Sequence, residues 1–165
     1  MDKAFKVYII GSVASGKTTL AKKISESSGI PYYELDNVIW KKHEDGDIKR
    51  TAEERDEIFN NIVNKDSWII EDVCRSCFKD GLKKADLIIV LDIPAFYRKK
   101  NILLRWIKQN LGLEKSDYKP TIKMLRLMYK WCNEYDDKKD QFMKKIDPYM
   151  DKVKIMKTYP KYDII

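Results

Sequence analysis

Eight consecutive residues carry the strongest chemical signal in the chain. Gly11-Ser12-Val13-Ala14-Ser15-Gly16-Lys17-Thr18 matches the pattern G-x-x-x-x-G-K-[ST]. Each part of that spacing has a physical task. Gly11 and Gly16 let the backbone turn so that successive N–H groups point inward at phosphate oxygens. A helix starting near Gly16 adds the positive end of its dipole. Lys17 has the charge and reach for β- and γ-phosphates, and the Thr18 hydroxyl suits Mg²⁺. Gly11, Ser12, Val13, Ala14, Ser15, Gly16, Lys17, Thr18 and Thr19 are therefore the expected nucleotide contacts. Average residue frequencies produce such a match on the order of once in a hundred chains of this length, so the pattern is informative.

Phosphoryl transfer also needs carboxylates, to hold Mg²⁺ through water or to accept a proton from an attacking hydroxyl. Asp36, Glu71-Asp72 and Asp92 each follow an apolar run that reads as a strand. In an open parallel sheet the strand ends converge on the ligand site. Asp36 precedes Asn37-Val38-Ile39-Trp40, which offers an acceptor an aromatic wall. Either Glu71 or Asp72 would set Mg²⁺, whereas Asp92, ahead of Ile93-Pro94, reads as a helix entry. Bidentate arginine is the side chain best shaped to neutralise a transferring phosphoryl group. Arg98 and Arg105 lie seven residues apart, on one helical face, and Arg126 and Lys130 are an i, i+4 pair on the next helix. Between them, residues 112–119 are long enough for a lid tip. The plainer reading of those cations is a solvated helix face. Cys74-x-x-Cys77 has redox or zinc spacing, but only Cys132 and His43 could complete a site, so idle thiols are expected.

These residues must be positioned by a regular scaffold. Phe5 to Ile10 reads as a strand, and Leu20, Ala21 and Ile24 as the buried stripe of a helix stopped by Gly29. Pro31 to Leu35 is a second strand, followed by a polar loop over 41–50. Thr51 and Glu54 form a capping box, and Ile58, Phe59, Ile62 and Val63 give the helix after it a buried face. Trp68 to Ile70 is a third strand. Leu87 to Leu91, apolar throughout, is a fourth, covered on both faces. Pro94 opens a helix with Ile102, Leu103, Trp106 and Ile107 on one side, closed by Leu111-Gly112. Pro120 opens another, with Met124, Leu125, Met128, Trp131 and Cys132 at helical spacing. Val153 to Lys157 is a last short strand. Strands alternating with helices predict an α/β fold, a parallel sheet wrapped by helices.

Composition narrows the classes. At 165 residues, 44% hydrophobic and 36% charged, the chain suits one globular domain over 1–165 rather than a disordered one. No apolar run approaches a membrane span, no signal peptide precedes the first strand, and the cysteines read as reduced cytoplasmic thiols. No membrane partner is expected. Charge is uneven: residues 1–92 balance to −2 and residues 93–165 to +9. A basic half attracts nucleic acid, anionic surfaces or phosphorylated small molecules alike.

The motifs occur in a recognisable order: Ile9 through Leu20, Tyr33 through Trp40, Trp68 through Glu71, and Val90 through Pro94. This resembles the small P-loop proteins called topology modulation proteins, relatives of adenylate and shikimate kinases. The resemblance implies a P-loop NTPase three-layer sandwich with a five-stranded parallel sheet of order 2-3-1-4-5. It also implies a Mg·ATP site and an arginine-bearing helical lid around 95–132. Two positions depart from it. Glu71-Asp72-Val73-Cys74 stands where the family has Asp-Gly-Asn-Tyr. Of its two lid arginines, Arg105 matches the second, while the first falls near Asn101, with Arg98 one turn earlier. The expected activity is ATP-dependent phosphorylation of a small acceptor, such as a nucleoside or nucleotide. Lys17, Asp36 and Arg105, with Arg98 or Arg126, would be its catalytic residues; Thr18 with Glu71 or Asp72 would hold its metal. The alternative is a regulatory nucleotide-binding protein whose basic half contacts DNA.

Overall fold

The computed structural model describes residues 4–43, 46–116 and 119–159. Along the chain run β1 (Lys6–Gly11), α1 (Lys17–Ser28), β2 (Tyr32–Glu34), α2 (Leu35–Ile39), β3 (Trp40–Lys41) and β4 (Ile48–Lys49). They are followed by α3 (Ala52–Val63), β5 (Trp68–Asp72), α4 (Lys79–Lys84), β6 (Leu87–Leu91) and α5 (Ala95–Asn110). The chain then forms α6 (Ile122–Asp137), α7 (Lys139–Ile146), a tight 3₁₀ stretch and β7 (Val153–Met156).

One five-stranded sheet has the order β2-β5-β1-β6-β7, with every pairing parallel. β3 and β4 form a separate antiparallel ribbon. Setting that ribbon aside, the five strands read 2-3-1-4-5 in chain order, as the resemblance implies. β1 sits at the centre because its residues are apolar on both faces, and alternation along the strand divides them between two cores. Val7 and Ile9 pack with Leu20, Ala21 and Ile24 of α1. Tyr8 and Ile10 pack with Phe59, Ile62 and Val63 of α3, Leu82 of α4, and Phe142 and Ile146 of α7. Helices thus cover both faces, giving three layers. α4 approaches the sheet so closely that a Cβ on Gly81 would meet the Tyr8 ring at 2.6 Å.

Local chemistry sets several boundaries. α1 stops at Gly29, in the left-handed conformation, whose N–H bonds to the Ser25 carbonyl. At α3 the Thr51 hydroxyl accepts from the Glu54 N–H and the Glu54 carboxylate accepts from the Thr51 N–H, as the capping box predicts.

Four expectations need correction. The second strand is shorter than predicted and the chain turns into α2 at Leu35, so Asp36 lies in a helix's first turn rather than at a strand end. The polar loop over 41–50 contains the β3–β4 ribbon. The last strand ends at Met156, before Lys157. Leu103, Ile107 and Trp131 are exposed, because α5 and α6 meet through Ile102, Met128 and Cys132 instead.

Candidate active site

The P-loop connects β1 to α1, as its motif requires. Gly16 caps α1 with φ +89°, a value that disfavours any side chain, and Ala14 is also left-handed at +56°. A Cβ on Gly11 would stand 2.4 Å from the Ser15 hydroxyl, so glycine is needed there for space. Lys17 Nζ donates to the Ser12 carbonyl at 3.0 Å and lies 3.6 Å from Glu71 Oε2. The Thr18 hydroxyl donates to Glu71 Oε1 at 3.0 Å. Glu71 is buried, and its Oε2 makes no hydrogen bond. Lysine and hydroxyl from the first turn of α1 therefore meet the Glu71 carboxylate at the mouth of the loop, because β5 lies beside β1 with Glu71 paired to Ile9.

Glu71 and Asp72 have different tasks, set by strand alternation. The Asp72 carboxylate turns to the other face and accepts from the Tyr8 hydroxyl, the Arg75 N–H and the Arg75 guanidinium. Its oxygens are committed. Burial, reinforced by the Asp72 charge, holds the Tyr8 phenol well above its ordinary pKa. Arg75, which carried no motif, extends its other nitrogen to Asp36 at 2.5 Å. Burial opposes the Arg75 charge, but Asp72 and Asp36 outweigh it and raise its pKa. Asp36 itself is 65% exposed by side chain, beside the partly exposed Trp40. The structure thus joins Asp36 to Asp72 through an arginine that the sequence pattern did not single out. Its position three residues after Asp72 was the available clue.

The cations of the basic half separate into different roles. Arg98 is 2% exposed. Its guanidinium donates to the Ile93 carbonyl, the Ser12 hydroxyl, the Cys132 carbonyl and both oxygens of Asp136. It is a strut between P-loop, α5 and α6 rather than a mobile lid arginine, because no donor face is left for a transferring group. Arg105 lies 3.6 Å from Glu114, and Arg126 is exposed. Neither bonds to the P-loop among the described residues. Lid-tip residues 117–118 fall outside the described residues.

On the side of the loop away from Asp36, a cavity of about 440 Å³ opens between the ends of β6 and β7. Asp92, Arg98, Asp136, Lys139 and Lys157 line it, with Lys139 bonded to both Asp92 oxygens. Tyr159 stands beside the loop: its hydroxyl accepts from the Asn101 amide and donates to the Ala14 carbonyl. The helix entry expected at Asp92 falls instead at Pro94, which caps α5, while the Asp92 carboxylate is taken up by Lys139. Among the described residues no three His, Cys, Asp or Glu side chains form a metal cluster, and the three cysteines are free thiols.

No family model matches the chain, and no curated protein does. Solved structures do. A shikimate kinase from Acinetobacter baumannii in complex with shikimate has a TM-score of 0.54 at 15% identity, covering 98% of this chain and 87% of its own. A gluconokinase from Sinorhizobium meliloti 1021 gives 0.50 at 13%, covering 98% and 87%. A shikimate kinase from Aquifex aeolicus vf5 gives 0.50 at 16%, covering 96% and 89%. Identities this low establish architecture, and what they establish is that this chain has the P-loop kinase fold.

Proposed function

We propose that the protein is an ATP-dependent kinase that phosphorylates a small hydroxyl- or phosphate-bearing acceptor, such as a nucleoside or nucleotide. The observation that carries this reading is the convergence of Lys17, Thr18 and Glu71 on the P-loop. The loop's N–H groups and Lys17 bind the triphosphate. Thr18 and Glu71 fit a divalent cation: a hydroxyl and a buried carboxylate oxygen without a hydrogen bond are the donors such an ion takes. Held there, a divalent cation would supply charge neutralisation to the triphosphate. Asp72 is not a metal ligand in this reading.

The cavity between β6 and β7 suits the nucleoside end of the donor, which leaves the Asp36 side for the acceptor. Asp36 orients the acceptor hydroxyl and takes its proton as the oxygen bonds to the γ-phosphorus and the bond to the ADP oxygen breaks. Arg75 holds Asp36 in place. Arg105 and Arg126, neither of them bonded to the P-loop among the described residues, are the cations to meet the transferring group as the lid segment around 95–132 closes over it, with α5 held at Arg98. The motifs Leu35-Asp36 to Trp40 and Ile89 to Pro94 support the finer placement beside the topology modulation proteins.

Two variants test the reading together. Lys17→Ala should lose ATP-analogue binding by calorimetry while its circular dichroism stays intact. Asp36→Asn should keep that binding and lose turnover with whichever acceptor a nucleoside and nucleotide screen identifies. Unchanged nucleotide affinity in Lys17→Ala sinks the proposal.

A further inference from the structure

Helix α5 carries apolar side chains on two opposite faces. The inner one, through Arg98 and Ile102, packs on the P-loop and α6. The outer one consists of Phe96, Tyr97, Leu103, Leu104, Ile107 and Leu111, all exposed, with Phe96 at 74% and Leu111 at 67%. At 100° per residue these six share an arc of about 120°, centred opposite the buried edge. The face is a ridge rather than a groove. Six exposed apolar side chains gathered on one arc of a helix mark an interaction surface.

Its charges say what covers it. Residues 95–110 contain Arg98, Lys99, Lys100, Arg105 and Lys108 and no acid. Lys100 lies at the middle of the outer arc, and Lys99 and Lys108 fall at its two margins. A second copy is disfavoured, because a two-fold contact of this face with itself brings cation against cation with no carboxylate to answer it. A flat anionic plane suits the ridge on every count: apolar side chains enter the acyl boundary while lysine stems reach back to the headgroups.

We infer that the outer face of α5 docks the protein on an anionic lipid surface, lying in its plane. The expectation of no membrane partner rested on the lack of a spanning run, and indeed no helix among the described residues is long and apolar enough to cross a membrane. Surface docking requires none. None of the outer-face residues belongs to the P-loop or its acids, and although α5 lies within the expected lid, vesicle binding is read without turnover, so the two readings fail separately.

The test is co-sedimentation with vesicles of phosphatidylcholine alone and with 30% phosphatidylglycerol. At 0.1 M salt the protein should partition onto the anionic vesicles and leave the neutral ones. Lys100→Glu/Lys108→Glu should weaken this by tenfold or more, since each cation near such a surface is worth about fivefold. Leu104→Ser/Ile107→Ser should weaken it by at least tenfold, with thermal unfolding unchanged because both side chains are exposed in the free protein. Absence of binding to anionic vesicles, or equal binding by the variants, overturns the inference. So does a dimer seen by light scattering that Leu104→Ser/Ile107→Ser abolishes, which would assign the face to a second copy.

Discussion

Cys74 and Cys77 sit three residues apart and differ in burial, which governs access to the thiol. Cys74 is buried at the start of the turn after β5, and burial pushes its pKa up to about 11, with Asp72 adding to the rise and Lys145 opposing it. Cys77 is exposed. Because the thiolate is the nucleophile, iodoacetamide at pH 8 should label Cys77 and spare Cys74 and Cys132, as peptide mass spectrometry would read directly. The fold holds the Cys74 proton more tightly than the unfolded chain does. That contribution to stability is therefore whole below about pH 9 and disappears as pH climbs towards 11. Labelling of Cys74 at neutral pH in the folded protein would contradict this picture. The spacing of these two thiols invited a zinc or redox reading; their environments, which no spacing records, answer it. Arg75 teaches the same lesson from the other side. Its link to Asp36 spans 39 positions, so nothing local announces it. By contrast the P-loop is legible at once, because the pattern that defines it lies within eight consecutive residues.

At the scale of elements, α5 is defined by what each of its faces meets. Arg98 on the inner face is the more consequential residue, since its guanidinium reaches Ser12, Cys132 and Asp136 at once. Arg98→Ala should destabilise the protein by about 3 kcal/mol, the lower part of the range for removing one partner of a buried ion pair, because Asp136 keeps some water. Denaturant titration measures it, and Thr51→Ala in the α3 capping box, at about 1 kcal/mol, supplies the scale. A loss at Arg98 no larger than at Thr51 would show the strut to be slack. The periodicity of α5 correctly marked a helix but not its orientation: with apolar residues on both sides, pattern alone had no means to choose Ile102 over Leu103 and Ile107 as the buried contact. The β3–β4 ribbon was invisible for a different reason. Two residues per strand are too few to display alternation. The capping box, whose partners are three residues apart, was read in full.

For the molecule as a whole, the excess of +9 over residues 93–165 is hardly reduced by ion pairing. Arg98 pairs with Asp136 inside that half, which leaves its net charge unchanged, and Lys139 pairs with Asp92 across the boundary. The other cations of that half are spread over α5, α6, α7, the 3₁₀ stretch and β7 rather than gathered on one element. Duplex DNA titrated by fluorescence anisotropy should therefore give only weak attraction at low salt, and no saturable complex at about 0.15 M, where screening is short-ranged. A saturable complex there, with a steep salt slope, would restore the regulatory alternative. The parallel sheet has a further consequence, which concerns time. β1 is the first strand synthesised, yet its partners lie far downstream, Trp68 opposite Lys6 and Leu87 opposite Val7. At the usual pace of translation, roughly 3 to 12 seconds separate the making of β1 from the making of β5. Throughout that interval Val7 to Ile10 form a nascent apolar strand with both edges open. The segment that becomes the most protected part of the protein is thus the longest exposed during its birth, and the ribosome-bound chain is where this fold is most vulnerable to aggregation.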